Sequence, residues 1–442
     1  MVEVKEEEEK KAQALLVGGP LPKGERLEET SAPQDGRQLS ELKGLVSTLG
    51  METAGMLCLT RLEPTPAYGM GTGKAQEIAD KAKELGADCI IFDWELDPTK
   101  QRNWEKLTGI PVFDRNEVII RIFAQRARTK EAVLQVQLAQ LTYSLPRLSH
   151  SYGNLSRQRG GSFGNKGQGE TQLELDRRQV EDKIVQIKKE LEAVEESRAT
   201  QRRQRERTAT PACALVGYTN AGKSSLLNAL TGADAFVEDK LFATLDPTTR
   251  KLSLSEGCSV LLTDTVGFIS KLPHTLIDAF KSTLEEASFA DLLLVTVDAS
   301  NPDCIKQYTQ VLKVLAEIGA DKIKRIVLLN KADKLDDDEI RTAQLEAAFP
   351  GAIRTSAKTG EGFDTLLATV TERLFGEVCR YRIPLADCQL VELVRKNGRI
   401  LREEWLDGFV ELEARVPGTI DGEGKATTRT KSLLSKYAVG AV

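Results

Sequence analysis

Between residues 41 and 114 short apolar runs, Met56 to Leu59, Cys89 to Phe92 and Ile110 to Phe113, alternate with helical stretches at Lys74 to Leu85 and Thr99 to Leu107. Strand-length runs separated by helix-length segments predict a small α/β subdomain over 41–114. Residues 1–40 before it are polar, charged and broken by Gly19, Pro20, Pro22, Gly24, Pro33 and Gly36, the pattern of a poorly ordered extension. After it, residues 117 to 143 run without Gly or Pro and predict one long helix. A second helix follows, in which Leu173, Val180, Ile184, Ile187, Leu191 and Val194 recur at the spacing of a two-helix seam. The two should pair as an antiparallel hairpin arm over 115–207. Their connection, 144–172, is glycine-rich and carries Arg147, Arg157, Arg159 and Lys166. A loop of that length in a compact domain is functional or disordered as a rule.

From Pro211 the pattern changes to buried strands, each ended by a polar turn, through about residue 376. Beyond 380, Leu390, Val391, Leu393 and Val394 share one helix face, and Phe409, Val410 and Leu412 fit a strand. That predicts a small C-terminal domain over 380–442. At 442 residues and 40% hydrophobic composition, the chain is long enough for several cores of this size.

The net charge of −5 conceals segregation, because 115–210 sums to +7 and the remainder to −12. A basic helical arm with a glycine-rich loop suits a phosphate backbone, although a solvated helix face explains the arginines near 198–207 equally simply. The seven cysteines stand singly and there are two histidines, so no zinc spacing exists and free thiols fit a reducing cytoplasm. The acidic start Met1 to Lys11 does not resemble a secretory signal, and the longest apolar runs are strand-length, which leaves no anchor for a membrane-linked regulator.

The chemistry is concentrated after the strand Pro211 to Val216. There Gly217-Tyr218-Thr219-Asn220-Ala221-Gly222-Lys223-Ser224 runs into a helix. The glycines let successive N–H groups turn toward phosphates beside the positive end of a helix dipole. Lys223 is expected to reach the β and γ phosphates, and the Ser224 hydroxyl to ligate Mg2+. Three further turns follow at the intervals of a Ras-like P-loop G domain over 208–376. Asp264-Thr265-Val266-Gly267 offers a carboxylate for Mg2+ through water and a Gly267 amide for the γ phosphate. Asn330-Lys331-Ala332-Asp333 places a carboxylate that can accept from guanine N1–H and the exocyclic amine, a donor pair adenine lacks. Ser356-Ala357-Lys358 supplies the Ala357 amide for guanine O6. Chance could produce any one of these tetrapeptides but not the ordered set. By contrast, Gly69-Met70-Gly71-Thr72-Gly73-Lys74 lacks phosphate-loop spacing and reads as a tight turn before a helix.

The first switch is expected at Phe242-Ala243-Thr244-Leu245-Asp246, followed by Pro247-Thr248-Thr249-Arg250. Thr244 is favoured for Mg2+ because the similar Obg-type switch places its metal-binding threonine before a leucine, while Thr248 and Thr249 start the next strand. Lys223, Thr244 and Gly267 then carry the catalytic contacts. Phe268 occupies the place where Ras-like enzymes often have a water-orienting glutamine, so intrinsic hydrolysis should be slow. Asn220 resembles the asparagine of potassium-activated GTPases, a minority expectation that adds K+.

The chain resembles the HflX family of translation GTPases, in the Obg-HflX superfamily, over roughly 41–375. The resemblance rests on Gly71-Thr72-Gly73-Lys74, Phe92-Asp93-Trp94-Glu95-Leu96, Gln101-Arg102-Asn103, Arg126 to Ala132, Leu134 to Leu141 and Pro146-Arg147-Leu148. Gly167-Gln168-Gly169-Glu170 and Asp176-Arg177-Arg178 complete it. It implies a monomeric GTPase that binds the large (50S) ribosomal subunit, including its RNA, and splits or rescues stalled ribosomes, with a possible part in biogenesis. The arm loop would reach toward the peptidyl-transferase region. An ATP-dependent RNA-remodelling enzyme working through the N-terminal domain ranks below this, since no complete second nucleotide motif exists.

Overall fold

A computed structural model of the chain describes residues 11–19, 39–59, 65–151, 166–206, 210–232, 241–254, 257–270, 276, 280, 285–335, 339–416 and 431–441. It divides into two units. The first comprises Met1–Ala199 with Glu238–Asp246 and Lys271–Phe280, and the second Thr200–Val237, Pro247–Ser270 and Lys281–Val442.

In the first unit β1 (Gln13–Gly18), α1 (Ser40–Thr48), β2 (Glu52–Cys58), α2 (Thr72–Glu84), β3 (Cys89–Phe92), α3 (Pro98–Thr108) and β4 (Val112–Asp114) build a four-stranded parallel sheet in the order β2-β1-β3-β4. The expectation of an unstructured extension over 1–40 is therefore wrong for β1, which lies inside the sheet. Ala14, Leu15, Leu16 and Val17 are wholly buried, as a continuous apolar run must be when a parallel strand is covered on both faces. Trp104, Phe92 and Met70 fill the core beneath. Gly69 to Gly71 form the expected turn, with Gly69 at φ +77°, and Thr72, Gly73 and Lys74 are already the first residues of α2, Lys74 pairing with Glu77 at 2.7 Å.

The single helix expected over 117–143 is two, α4 (Arg115–Arg126) and α5 (Lys130–Ser151), because Ala127 is extended. The Thr129 hydroxyl accepts from the Ala132 amide at 3.2 Å, a local cap. The Asp246 carboxylate then takes the amides of Arg128 (3.1 Å) and Thr129 (3.3 Å) and the Thr129 hydroxyl (2.5 Å). Those satisfied donors make a helix start where propensity alone would continue. α5 also runs through Pro146 into the expected loop, so 144–151 is helical. Arg147 is consequently no loop arginine: its guanidinium donates to the Leu96 carbonyl (2.8 Å) and to Gln101 (2.9 Å) and lies over the Tyr143 ring. Residues 152–165, with Arg157 and Arg159, lie outside the described residues. α6 (Lys166–Glu206) is one 41-residue helix. Its stripe Val180, Ile184, Ile187, Leu191 and Val194 is half-buried or buried while most neighbours are exposed, in keeping with the seam pattern.

In the second unit β5 (Ala212–Gly217), α7 (Lys223–Thr231), β6 (Thr248–Ser253), β7 (Ser259–Asp264), β8 (Leu292–Asp298), α8 (Cys304–Glu317), β9 (Arg325–Asn330), α9 (Glu339–Ala348), β10 (Ile353–Arg354) and α10 (Phe363–Phe375) form a doubly wound domain. Its sheet order is β10-β9-β8-β5-β7-β6, parallel except for the β6–β7 pair. Thr248 and Thr249 do begin a strand. The expected G domain is nevertheless not continuous, since the described residues 241–246, 276 and 280 group with the first unit: Phe242 and Phe280 each pack edge-on to Phe123 with ring centroids 4.7 Å apart. β11 (Val378–Pro384), α11 (Gln389–Asn397), β12 (Arg399–Leu406), β13 (Phe409–Arg415) and β14 (Ala438–Ala441) form a separate antiparallel sheet, ordered β12-β13-β11-β14, around its own core of Tyr381, Ile383, Val410 and Leu412. The expected C-terminal helix and strand are both present.

Candidate nucleotide site

The carboxyl ends of β5, β7, β9 and β10 deliver four turns to one edge of the sheet, where doubly wound folds bind ligands. From β5 come Gly217 to Ser224, from β7 Asp264 to Gly267, from β9 Asn330 to Asp333, and beyond β10 Ser356 to Lys358.

Gly222 lies at φ +90°, and a Cβ there would stand 2.3 Å from the Asn330 amide nitrogen, so only glycine lets the two loops approach. Asn330 is the joint of the site. Its side-chain amide donates to the Ala221 carbonyl at 2.8 Å and its oxygen accepts from the Ala357 amide at 3.2 Å. Asp333 is held in turn by the Ser356 hydroxyl, which donates to its carboxylate at 2.6 Å. Lys331, at φ +62°, turns back to pair with Asp298 at 2.7 Å. The sequence reading missed Asp298, whose one signal is a lone carboxylate ending the apolar run Leu292 to Val297.

Lys223 is buried at the start of α7, its ammonium donating to the carbonyls of Tyr218 (2.9 Å) and Gly217 (3.3 Å). Burial pushes its pKa down to about 8 against a smaller upward pull from Asp264. A sequestered cation beside amide-rich backbone is a receptor for an anion. The Thr219 hydroxyl is buried with no hydrogen-bond partner among the described residues. The Ser224 hydroxyl donates to the Asp264 carboxylate at 2.6 Å, so a hydroxyl and a carboxylate suited to a hard divalent cation stand together. Thr265 holds the turn by donating to the Leu215 carbonyl at 2.8 Å.

Gly267 lies against the phosphate loop, where a Cβ would be 2.9 Å from both Thr219 Cα and Lys223 Nζ. Phe268 follows it and is buried, so it packs into the core. Phe242, Ala243, Thr244, Leu245 and Asp246 belong to the first unit. There Phe242 takes φ +55° and Leu245 is buried. No helix among the described residues is long and apolar enough to cross a membrane.

Three family models match the chain: "GTP-binding GTPase N-terminal" over 36–124, "GTP-binding GTPase Middle Region" over 126–205 and "50S ribosome-binding GTPase" over 212–331. GTPase HflX of Caldanaerobacter subterraneus subsp. tengcongensis is 44% identical over 87% of this chain and 89% of its own length. GTPase HflX of Escherichia coli K12 is 43% identical over 87% of this chain and 91% of its own. A crystal structure of a GTP-binding protein from Sulfolobus solfataricus in complex with GDP covers 82% of this chain and 98% of its own, at 24% identity and TM-score 0.43.

Proposed function

Since the chain belongs to the HflX family of GTPases, we propose that it couples GTP binding and hydrolysis to engagement of the large ribosomal subunit, acting to split or rescue stalled ribosomes, with biogenesis as a further setting. The observation that carries the nucleotide half is the Asn330 joint, which ties the phosphate loop to the Ala357 loop while Ser356 orients Asp333. Asp333 accepts from the guanine N1–H and amine, the Ala357 N–H, long at 3.2 Å to Asn330, is shared with O6 as a three-centre donor, and Lys223 with the loop amides holds the phosphates. The oxygens of Ser224, Asp264 (through water) and Thr244 are the set that would hold Mg2+. When bound, that ion neutralises charge developing between the β and γ phosphates.

Gly267 offers its amide to the γ phosphate. Phe268, buried and without a hydrogen-bonding side chain, cannot orient the attacking water, so turnover depends on a group supplied from outside. The ribosomal half is supported by the match to the 50S ribosome-binding model and by the basic arm, whose α5 and α6 bracket residues 152–165. Measuring GTP turnover with and without purified large subunits, then with 153–169 deleted, tests it. Stimulation lost on deletion is expected, and unchanged turnover on adding subunits refutes the ribosomal role. A K+ requirement rests only on the likeness of Asn220, and equal rates in potassium and sodium buffers remove it. An ATP-driven role for the N-terminal domain gains nothing from Lys74, which pairs with Glu77.

A further inference from the structure

Directly after Gly267 the chain runs alongside the phosphate loop rather than away from it. The Thr219 amide donates to the Phe268 carbonyl at 2.7 Å and the Phe268 amide donates to the Gly217 carbonyl at 3.0 Å, a parallel bridge centred on Tyr218 and Phe268. Any residue could make these two main-chain bonds. The third tie depends on a side chain, for the Tyr218 hydroxyl accepts from the Ser270 amide at 2.6 Å. Tyr218 is only 7% exposed, and Phe268 and Ile269 between the tied points are buried. The turn carrying Gly267 is thus held at Gly217, Thr219 and, two residues beyond Phe268, at the Tyr218 ring.

We propose that Tyr218 is a positioning residue for GTP hydrolysis: its hydroxyl latches the Ser270 amide and so keeps the Gly267–Phe268 backbone in register with the phosphate loop. Phe268 has no side-chain group to offer the attacking water, so the Gly267–Phe268 turn can act on the γ phosphate and the water through its main chain alone. Main-chain donors stabilise a transition state only when held in place beforehand, and a misplacement of about 1 Å can cost ~100-fold. In an enzyme with a glutamine after the glycine, a long side chain can take up such errors. Here the backbone register must be set by something else, and Tyr218 spans from the phosphate loop to do it. The inference rests on the proposed reading of Lys223 and Gly267 as the γ-phosphate end of the site.

The test is Tyr218→Phe, which keeps the ring and removes the hydroxyl that accepts from the Ser270 amide. The expected result is about a tenfold fall in kcat, with GDP affinity and KM for GTP within about threefold of the parent. Ser270 amide exchange with deuterium should become faster, while the exchange of core strand amides is unchanged. Ser270→Pro removes the donor from the other side, and the double variant should be no slower than the worse single one. If Ser270→Pro does not fold, the Tyr218→Phe exchange and kinetics decide alone. Unchanged kcat in Tyr218→Phe, or a loss confined to nucleotide affinity, overturns the latch. If instead Lys223→Ala binds GDP and GTP as well as the parent, the reading of the site itself has failed, an outcome distinct from failure of the latch.

Discussion

Replacing Asn330 tests whether one buried amide organises the nucleotide site. Asn330→Ala strands the Ala221 carbonyl, within a residue only 1% exposed, and the Ala357 amide, which is half-buried. Leaving a fully buried group unpaired costs ~1–3 kcal/mol. The half-buried amide recovers part of its loss from water, so about 1 kcal/mol is reasonable for it. The sum, ~2–4 kcal/mol, corresponds to about 30- to 700-fold in an equilibrium constant. It should fall mainly on nucleotide affinity, because bound nucleotide requires both loops in place. Asn330→Asp separates the two bonds. It keeps an acceptor for the Ala357 amide but sets a carboxylate oxygen against the Ala221 carbonyl where a donor stood at 2.8 Å, so it should bind at least as poorly as the alanine variant. Titration with a fluorescent GDP analogue gives the affinities, and denaturant unfolding gives any share borne by the fold. GDP affinity of Asn330→Ala within threefold of the parent, with an unchanged unfolding midpoint, would refute the role of Asn330 as joint.

Asp333→Asn exchanges an acceptor for a donor where guanine presents N1–H and its amine, so GTP affinity should fall more than ~100-fold. A nucleotide with an oxo group at that position should bind better than GTP in competition, and unchanged GTP preference would discount Asp333. Lys223 loses its proton near pH 8 in the folded, nucleotide-free protein, against an ordinary value of 10.5 when unfolded. Between those values the unfolded chain holds the extra proton, so stability rises with pH across that window, and below about 8 the cost of the buried charge is fully present. Denaturant midpoints at pH 7.5 and 9.5 should therefore differ more for the parent than for Lys223→Met. Asp114 is wholly buried and accepts from the amides of Leu96 (3.0 Å) and Glu117 (2.9 Å) and from the Tyr143 hydroxyl (3.0 Å), with Arg147 at 3.4 Å. Asp114→Ala strands the Leu96 and Glu117 amides, while Tyr143 keeps Glu117 at 3.3 Å and Arg147 keeps Leu96 and Gln101, and urea unfolding should show a loss of ~2–5 kcal/mol, a loss under ~1 kcal/mol being contrary.

Local chemistry made much of this chain legible in advance. Phosphate-loop glycines, strand-ending turns and the apolar period of α6 are short-range signals, because conformation and binding chemistry there lie within a few residues of sequence. Each of the four turns could be read at the end of a strand, and the sheet order is what brings them to one edge. β1 is equally legible in Ala14 to Val17, although that apolar run is masked by the polar composition around it. What tertiary structure alone decided are the contacts between residues far apart in sequence. Asp246 takes the Arg128 and Thr129 amides just before α5 from more than a hundred residues away, and Phe242 and Phe280 find Phe123. Arg147 leaves the basic loop to serve the Leu96 carbonyl, and Tyr218 reaches Ser270. Periodicity and propensity carry no information about such partners, since a hydrogen bond or ring contact depends on where the folded backbone brings two groups, not on their spacing along it.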